Sequence, residues 1–351
     1  MAIKNFSEAI REAFFVAMEI DSGVLCYGLG VTDPKGVFGT TTGLEEKFGS
    51  NRVFDMPTSE NAMTGIGIGV SLNGFRPVMT HQRLDFALLS LDQIINNAAK
   101  WRFMFGGTRG VPITIRLIIG RGWGQGPTHS QNLQALFGHI PGLKVVMPST
   151  AKDAKGLLLS SIFDPDPVIF LEHRWLHSMV EDVPEGDYRT PIGVANKIRE
   201  GSDITVVSMS YMTLEAIHAV DHLLSKGISC DLIDLRTVRP IDWDTIFNSI
   251  KKTGRLLVLD TGHITGSVSS EIVATVVDSC WNELKIAPQR LASPDYPEAT
   301  SPSLTEKYHV RAENIAIKIG AMLDQSIGVQ SLVDGREKFH DIPDRSFRGP
   351  F

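Results

Sequence analysis

Cysteine is scarce in this sequence, and long apolar runs are missing from it. The three cysteines, Cys26, Cys230 and Cys280, are widely spaced and form no CxxC pair. That excludes a disulfide scaffold and a thiolate zinc site, and reads as buried thiols in a reducing compartment. No uncharged apolar run approaches the roughly 20 residues of a membrane span. The opening MAIKNFSEAIREAFFVAM alternates charged and apolar residues without a small-residue cleavage site, so no signal peptide is expected and the protein is predicted to be cytoplasmic. A net charge of -6 makes no electrostatic case for nucleic acid or an anionic membrane surface. P-loop, GxSxG and HExxH motifs are absent. So is a Gly-Asp-Gly followed downstream by Asn, the arrangement that would hold a magnesium diphosphate.

What is present is ordinary globular material, 42% hydrophobic and 21% charged over 351 residues, long enough for two cores. Ser7 is a plausible N-cap for a helix with Ala9, Ile10, Ala13, Phe14 and Ala17 on one face. Strands at Val24 to Leu29, Val53 to Met56, Pro77 to Thr80 and Val111 to Ile119 alternate with helical patterns, one of them a long helix over Leu88 to Phe103. Such alternation predicts an α/β fold with doubly wound parallel sheets. A polar, Pro- and Gly-containing stretch over 177–203 breaks the pattern, and a second βαβ series follows from Ile204. The division expected is a first domain over 1–190, a second over 191–325, and an extended C-terminal tail over 326–351. Arg236, Arg239 and Asp242 are predicted to build interdomain or interface salt bridges.

Chemistry concentrates in FDMPTSENAMTGIGIGVSLNGFRPVMTHQRLDF, residues 54–86. Glu60 stands just before glycines 65, 67 and 69. Shielded by Ile66, Ile68 and Val70, its carboxylate would suit a hydrogen bond to a heterocycle nitrogen. As a first-turn acid it would equally satisfy the helix dipole, and spacing alone favours that role. The glycines permit close packing but form no dinucleotide fingerprint. His81, Gln82, Arg83 and Asp85 crowd one strand exit beside Phe86, and Arg121, Trp123, Gln125 and His129 lie on a glycine-rich loop after another strand. Ligands bind at such strand ends in open α/β sheets. Loop histidines satisfied by backbone and solvated polar loops are equally compatible with these residues.

Together the pieces resemble the beta subunit of the thiamine-diphosphate-dependent 2-oxoacid dehydrogenases, within the transketolase-like group. Glu60 with Gly65-Ile66-Gly67-Ile68-Gly69, THSQ at 128–131, PGLKVVMPS at 141–149, DAKGLLLSSI at 153–162 and IDLRTVRPID at 233–242 carry the likeness, over roughly residues 5 to 325. The resemblance implies a transketolase-like pyrimidine-binding domain followed by a transketolase C-terminal-like domain. It implies that Glu60 hydrogen-bonds the aminopyrimidine nitrogen and activates the cofactor, that Phe86 stacks on the pyrimidine, and that Gln82 and Thr58 contact it. His129 would assist with substrate or acyl acceptor. Ile113, Ser161, Ile162, Asp164 and Asp166 fall where this family can bind potassium. The missing Gly-Asp-Gly implies an alpha subunit that holds magnesium and the diphosphate, in an α2β2 heterotetramer, with a lipoyl acyltransferase core as a further partner.

The sequence departs from the family at Thr80-His81, where Glu-Phe or Glu-Ile is usual, and at Arg83. Together with Arg121 and Trp123, these suggest that His81, Arg83 and Arg121 meet a polar or anionic substrate. That keeps open two alternatives to a lipoyl-transferring dehydrogenase. One is a non-oxidative split transketolase-like or acyloin-forming enzyme, and the other a non-catalytic assembly subunit.

Overall fold

The computed structural model describes residues 2–122, 124–336 and 342. Its first long helix, Phe6–Ile20, is opened by Asn5 rather than Ser7. The Asn5 side chain accepts from the Glu8 amide while the Glu8 carboxylate accepts from the Asn5 amide, both at 2.8 Å, a reciprocal cap that satisfies two orphan donors. The apolar face read from the sequence, Ala9 to Ala17, is buried and packs on the helix Ala151–Ile162.

Seven strands form the first sheet, in the order Thr237–Arg239, Lys144–Val146, Val168–His173, Thr114–Ile119, Arg76–His81, Val24–Gly28, Val53–Asp55. All neighbours are parallel except the first pair. Thr114–Ile119 and Val168–His173 are buried at every position, as strands covered on both faces must be. A second sheet has the order Gln289–Ser293, Leu256–His263, Ile204–Ser208, Cys230–Asp234, Asn196–Arg199, parallel except at its last pair. Helices cover both faces of each sheet, and one apolar cluster runs from Met63 and Ile115 through Val207 and Ile233 to Val276. The described chain is therefore α/β with doubly wound parallel sheets.

Several edges were not legible in advance. Ala2–Asn5 pairs antiparallel with Val180–Val183, so the polar stretch after 177 begins as a strand tied to the N-terminus. Thr237–Arg239 crosses from the second series onto the edge of the first sheet. Arg236 Nε meets Asp153 at 2.8 Å across the two halves. The other two predicted salt-bridge formers do different work: Arg239 donates to the Gly138 carbonyl at 3.2 Å, and Asp242 caps the helix Trp243–Thr253. The long helix expected over Leu88 to Phe103 is broken into a 3-10 turn, a π-helical stretch at Gln93–Ala98 and a short helix Trp101–Met104. The expected extended tail instead contains the helix Gln330–Gly335, and Arg336 pairs with Glu313 at 2.9 Å. Residues 337–341 and 343–351 of that tail lie outside the described residues.

Gly67 is required by close packing. A methyl group there would lie 2.1 Å from the Tyr27 hydroxyl oxygen and 2.9 Å from Ile113 Cδ1, and that hydroxyl donates to the Met63 carbonyl at 3.0 Å. Gly67→Ala should destabilise the chain by about 1–3 kcal/mol, measured as a lowered urea midpoint. Adding Tyr27→Phe should recover part of the loss, because it removes the nearest clashing atom.

Candidate active site

Each parallel strand of the first sheet delivers its following loop to the same edge. Thr58 and Glu60 follow Val53–Asp55, residues 82–86 follow Arg76–His81, the loop 120–131 follows Thr114–Ile119, and Arg174 follows Val168–His173. Ligands of open α/β sheets bind outside this carboxyl edge.

Glu60 is the first residue of the helix Glu60–Leu72 and is only 5% exposed. Ser59 before it makes no side-chain cap bond, and among the described residues the Glu60 carboxylate has no hydrogen-bond partner. Neither carboxylate oxygen is among the fully enclosed unpartnered atoms of the described residues, so the carboxylate keeps some contact with solvent and is open to a ligand as well as to the helix dipole. The shield expected around it does not form. Ile66 is 50% exposed, and Ile68 faces the core.

Phe86 and His129 are brought together. Their ring centroids are 5.5 Å apart and their planes nearly perpendicular, the edge-to-face arrangement aromatic rings prefer. His129 is exposed, and its Nδ1 lies 3.1 Å from the Thr128 hydroxyl. The loop that carries it is closed at its neck, where the Gly120 amide donates to the Gln131 carbonyl at 3.4 Å. The Gln131 side chain donates to Asp85 at 2.6 Å, so the turn that bears Phe86 also grips the end of the His129 loop. Burial pushes the Asp85 carboxyl up, against the Gln131 hydrogen bond and the nearby Arg83 and His129. Gln82 and Thr58 are exposed at the same edge, and Gln82 lies over Gly30, where a methyl would come 2.4 Å from its amide nitrogen.

The three residues expected to meet a polar substrate are placed otherwise. His81 is the last residue of its strand and is buried, and its Nε2 has no partner. Arg83 is sealed beneath the glycine-rich loop, donating to the Gly120 carbonyl at 2.8 Å. Arg121 is buried against the second half of the chain, where it donates to the carbonyls of Ala299 and Thr300 and pairs with Glu298 at 3.4 Å. Sequence alone cannot distinguish a buried arginine from a solvated one, and the departures from the family pattern were read as ligand contacts for that reason. Trp123 lies outside the described residues.

The five residues expected at a cation site each make a bond within the described chain. The Val168 amide donates to the Ile113 carbonyl at 3.0 Å, beside the turn that follows the helix Ala151–Ile162. Arg76 donates to the carbonyls of Ile162 and Asp164 at 3.2 and 3.3 Å. Lys144 holds the Asp164 carboxylate at 2.7 and 2.8 Å, and Asp166 pairs with Arg102. The oxygen donors suit a hard cation, in competition with these side chains.

Two residues went unnoticed in the sequence. Phe38 lies with its ring centroid 4.5 Å from the Arg174 guanidinium carbon and 5.6 Å from that of Arg83. Neither Phe38 nor Arg174 stands in a motif, so no sequence signal marks them.

Comparison with known proteins adds the family. Residues 4–178 match the transketolase pyrimidine binding domain, and residues 193–315 match the transketolase C-terminal domain. The chain is 41% identical over 318 residues to the acetoin:2,6-dichlorophenolindophenol oxidoreductase subunit beta of Cupriavidus necator, covering 88% of this chain and 94% of that one. It is 40% identical over 309 residues to the 2-oxoisovalerate dehydrogenase subunit beta of Bacillus subtilis, with the same coverage. The pyruvate dehydrogenase E1 component subunit beta of Staphylococcus epidermidis is 41% identical over 296 residues, covering 84% and 91%. A solved split-gene transketolase, described as an inactive beta4 tetramer, superposes with a TM-score of 0.74 at 21% identity, covering 91% of this chain and 98% of that one. That likeness is one of fold.

Burial holds His81 neutral, with its pKa lowered to about 4. The unfolded chain binds a proton there below about 6.5, so stability contributed by neutral His81 is complete above that pH and is lost as pH falls through about 4. Between these values His81 adds about 1.4 kcal/mol per pH unit to the slope of unfolding free energy. His81→Gln should flatten the slope by that amount, read from urea midpoints between pH 6.5 and 4.5.

Proposed function

The chain belongs to the family of beta subunits of thiamine-diphosphate-dependent 2-oxoacid dehydrogenases, and on that premise we propose that it supplies the pyrimidine half of a cofactor site shared with an alpha subunit. The observation that carries the reading is Glu60, a residue only 5% exposed whose carboxylate has no hydrogen-bond partner among the described residues. A carboxyl group so placed can donate its proton to a pyrimidine ring nitrogen and keep the resulting carboxylate paired with the protonated ring. The alpha subunit would hold magnesium and the diphosphate through the Gly-Asp-Gly that this sequence lacks, in an α2β2 assembly.

When bound, thiamine diphosphate supplies the thiazolium carbon that attacks a 2-oxoacid and takes up the electrons left by carbon dioxide. Glu60 holds the proton at the pyrimidine nitrogen. Phe86 offers its ring to the pyrimidine and is itself braced by the edge of His129. Gln82 and the backbone at Thr58 line the same edge. With Nδ1 engaged by Thr128, His129 presents Nε2 to exchange a proton with substrate or acyl acceptor. The acceptor in this reading is a lipoyl group on an acyltransferase core. Potassium, if bound, takes Ile113, Ser161, Ile162, Asp164 and Asp166 as oxygen donors and shares them with Arg76 and Lys144.

The non-oxidative, sugar-directed alternative rested on His81, Arg83 and Arg121, all three of which are buried. No observation now favours it. An assembly subunit without a catalytic role would have no use for a buried, unpartnered acid.

In the complex with its alpha subunit, Glu60→Gln should lower carbon dioxide release from a 2-oxoacid by about 10²-fold or more with assembly unchanged. Undiminished turnover would refute the role given to Glu60. The purified chain without its partner should release no carbon dioxide. For potassium, the thermal midpoint in potassium chloride should exceed that in choline chloride at equal ionic strength, and equal midpoints would remove the ion from the reading.

A further inference from the structure

Arg83 lies where two loops of the carboxyl edge meet. Its side chain is sealed from water at 2% exposure, which leaves no route for a substrate to touch it. One nitrogen donates to the carbonyl of Gly120, the first residue of the loop that carries His129. Its Nη2 lies so close to Gly122 that a methyl group there would come within 2.6 Å. Gly120 is also wedged from the other side, since its φ is +73° and a methyl group would meet His173 Nε2 at 2.2 Å.

The same guanidinium faces a second loop. It stands over Phe38, whose ring Arg174 also approaches, two cation–π contacts in a desolvated setting. Phe38 and its neighbour Val37 have φ values of 59° and 31°. A β-branched residue and a bulky one in this left-handed region persist only when their surroundings impose it. Thr40, which closes that turn by donating to the Val37 carbonyl at 2.7 Å, is in turn held by Arg116 at 2.7 Å. Burial and the neighbouring Arg174 lower Arg83 to about 10, with Asp85 and Glu298 opposing, so it remains a cation at neutral pH.

We propose that Arg83 is a positioning residue, whose one guanidinium fixes the loop 36–40 and the loop 120–131 relative to each other and thereby sets His129 against Phe86. Lysine does not substitute, because a point-like ammonium cannot both lay a planar cation over Phe38 and place a separate N–H on the Gly120 carbonyl. The inference rests on the reading of His129 as a site residue, but its structural half stands apart from that reading.

Hydrogen–deuterium exchange on the complex with the alpha subunit tests the structural half without any turnover. Arg83→Met should speed exchange in both 36–40 and 120–131 and leave the remote strand Ile204–Ser208 unchanged. A change in only one loop, in neither, or uniformly along the chain would overturn the proposal. If Arg83→Met does not fold, Arg83→Lys keeps the charge without the planar fork and is read in the same way. In kinetics, kcat for the 2-oxoacid should fall by about tenfold to a hundredfold while KM stays near its wild-type value. An unchanged kcat would overturn the link to His129. A wild-type complex without 2-oxoacid turnover would defeat the functional reading, while the exchange result would still decide Arg83.

Discussion

The edge that carries the site depends on one buried ion pair. Arg116 and Glu172 stand on neighbouring parallel strands, both side chains wholly shielded from water, and join through two nitrogens of the guanidinium. Burial alone would raise the Glu172 carboxyl, but Arg116 and His177 outweigh it and hold it at about 2. Removing one partner of such a pair strands a charge in the interior at a cost of about 3–5 kcal/mol. The pair therefore holds the two strands in register and also reaches beyond them. Arg116 takes the Thr40 hydroxyl and lies over the Phe14 ring, and Glu172 faces His177 at 3.6 Å. Loop, N-terminal helix and strand exit converge on a single pair of charges.

Above that pair the remaining arginines act as struts. Arg83 joins two loops of the first sheet, and Arg121 ties the His129 loop to residues 298–300, far along the chain. Gly126 completes that seam, since a methyl group there would lie 2.3 Å from the Thr300 hydroxyl oxygen. Glu298 faces Arg121 on one side and His309 on the other, at 3.4 and 3.0 Å. The second half of the chain thus contributes to the placement of a loop that belongs to the first. The cations that looked like ligand contacts in the sequence are part of the scaffold.

The alternation of apolar strands and helices made the fold class readable, because burial on both faces of a parallel sheet leaves continuous runs such as Thr114–Ile119. Short edge strands escaped notice. Thr237–Arg239 and Asn196–Arg199 are three and four residues long, too short for period-2 alternation to declare itself. For the candidate site, motifs and strand-end positions single out Glu60, Phe86 and His129, and the structure brings the last two into contact. Arg83 and Arg121 were visible as residues but misread as to role, since whether a cation is buried depends on loops that pack over it from elsewhere. Phe38 was beyond reach, because a left-handed Val-Phe pair carries no glycine or asparagine to announce it.

Two of the three glycines of the helix Glu60–Leu72 have no packing explanation among the described residues. Gly67 is explained within the chain by Tyr27 and Ile113. Gly69 is not: a methyl group there would meet nothing within 4 Å, and one at Gly65 would make only ordinary contact with Gln93 at 3.5 Å. Each glycine inside a helix costs about 0.5–1 kcal/mol relative to alanine, so two of the three lower the stability of the isolated chain with no packing return. The same outer face leaves Ile66 half exposed. A helix that starts with a buried, unpartnered acid and then carries small residues outward is built for close approach by another backbone. Under the proposed function, an alpha subunit is the partner expected at this face. The features of this helix that make no sense in the single chain are the ones an α–β contact would use.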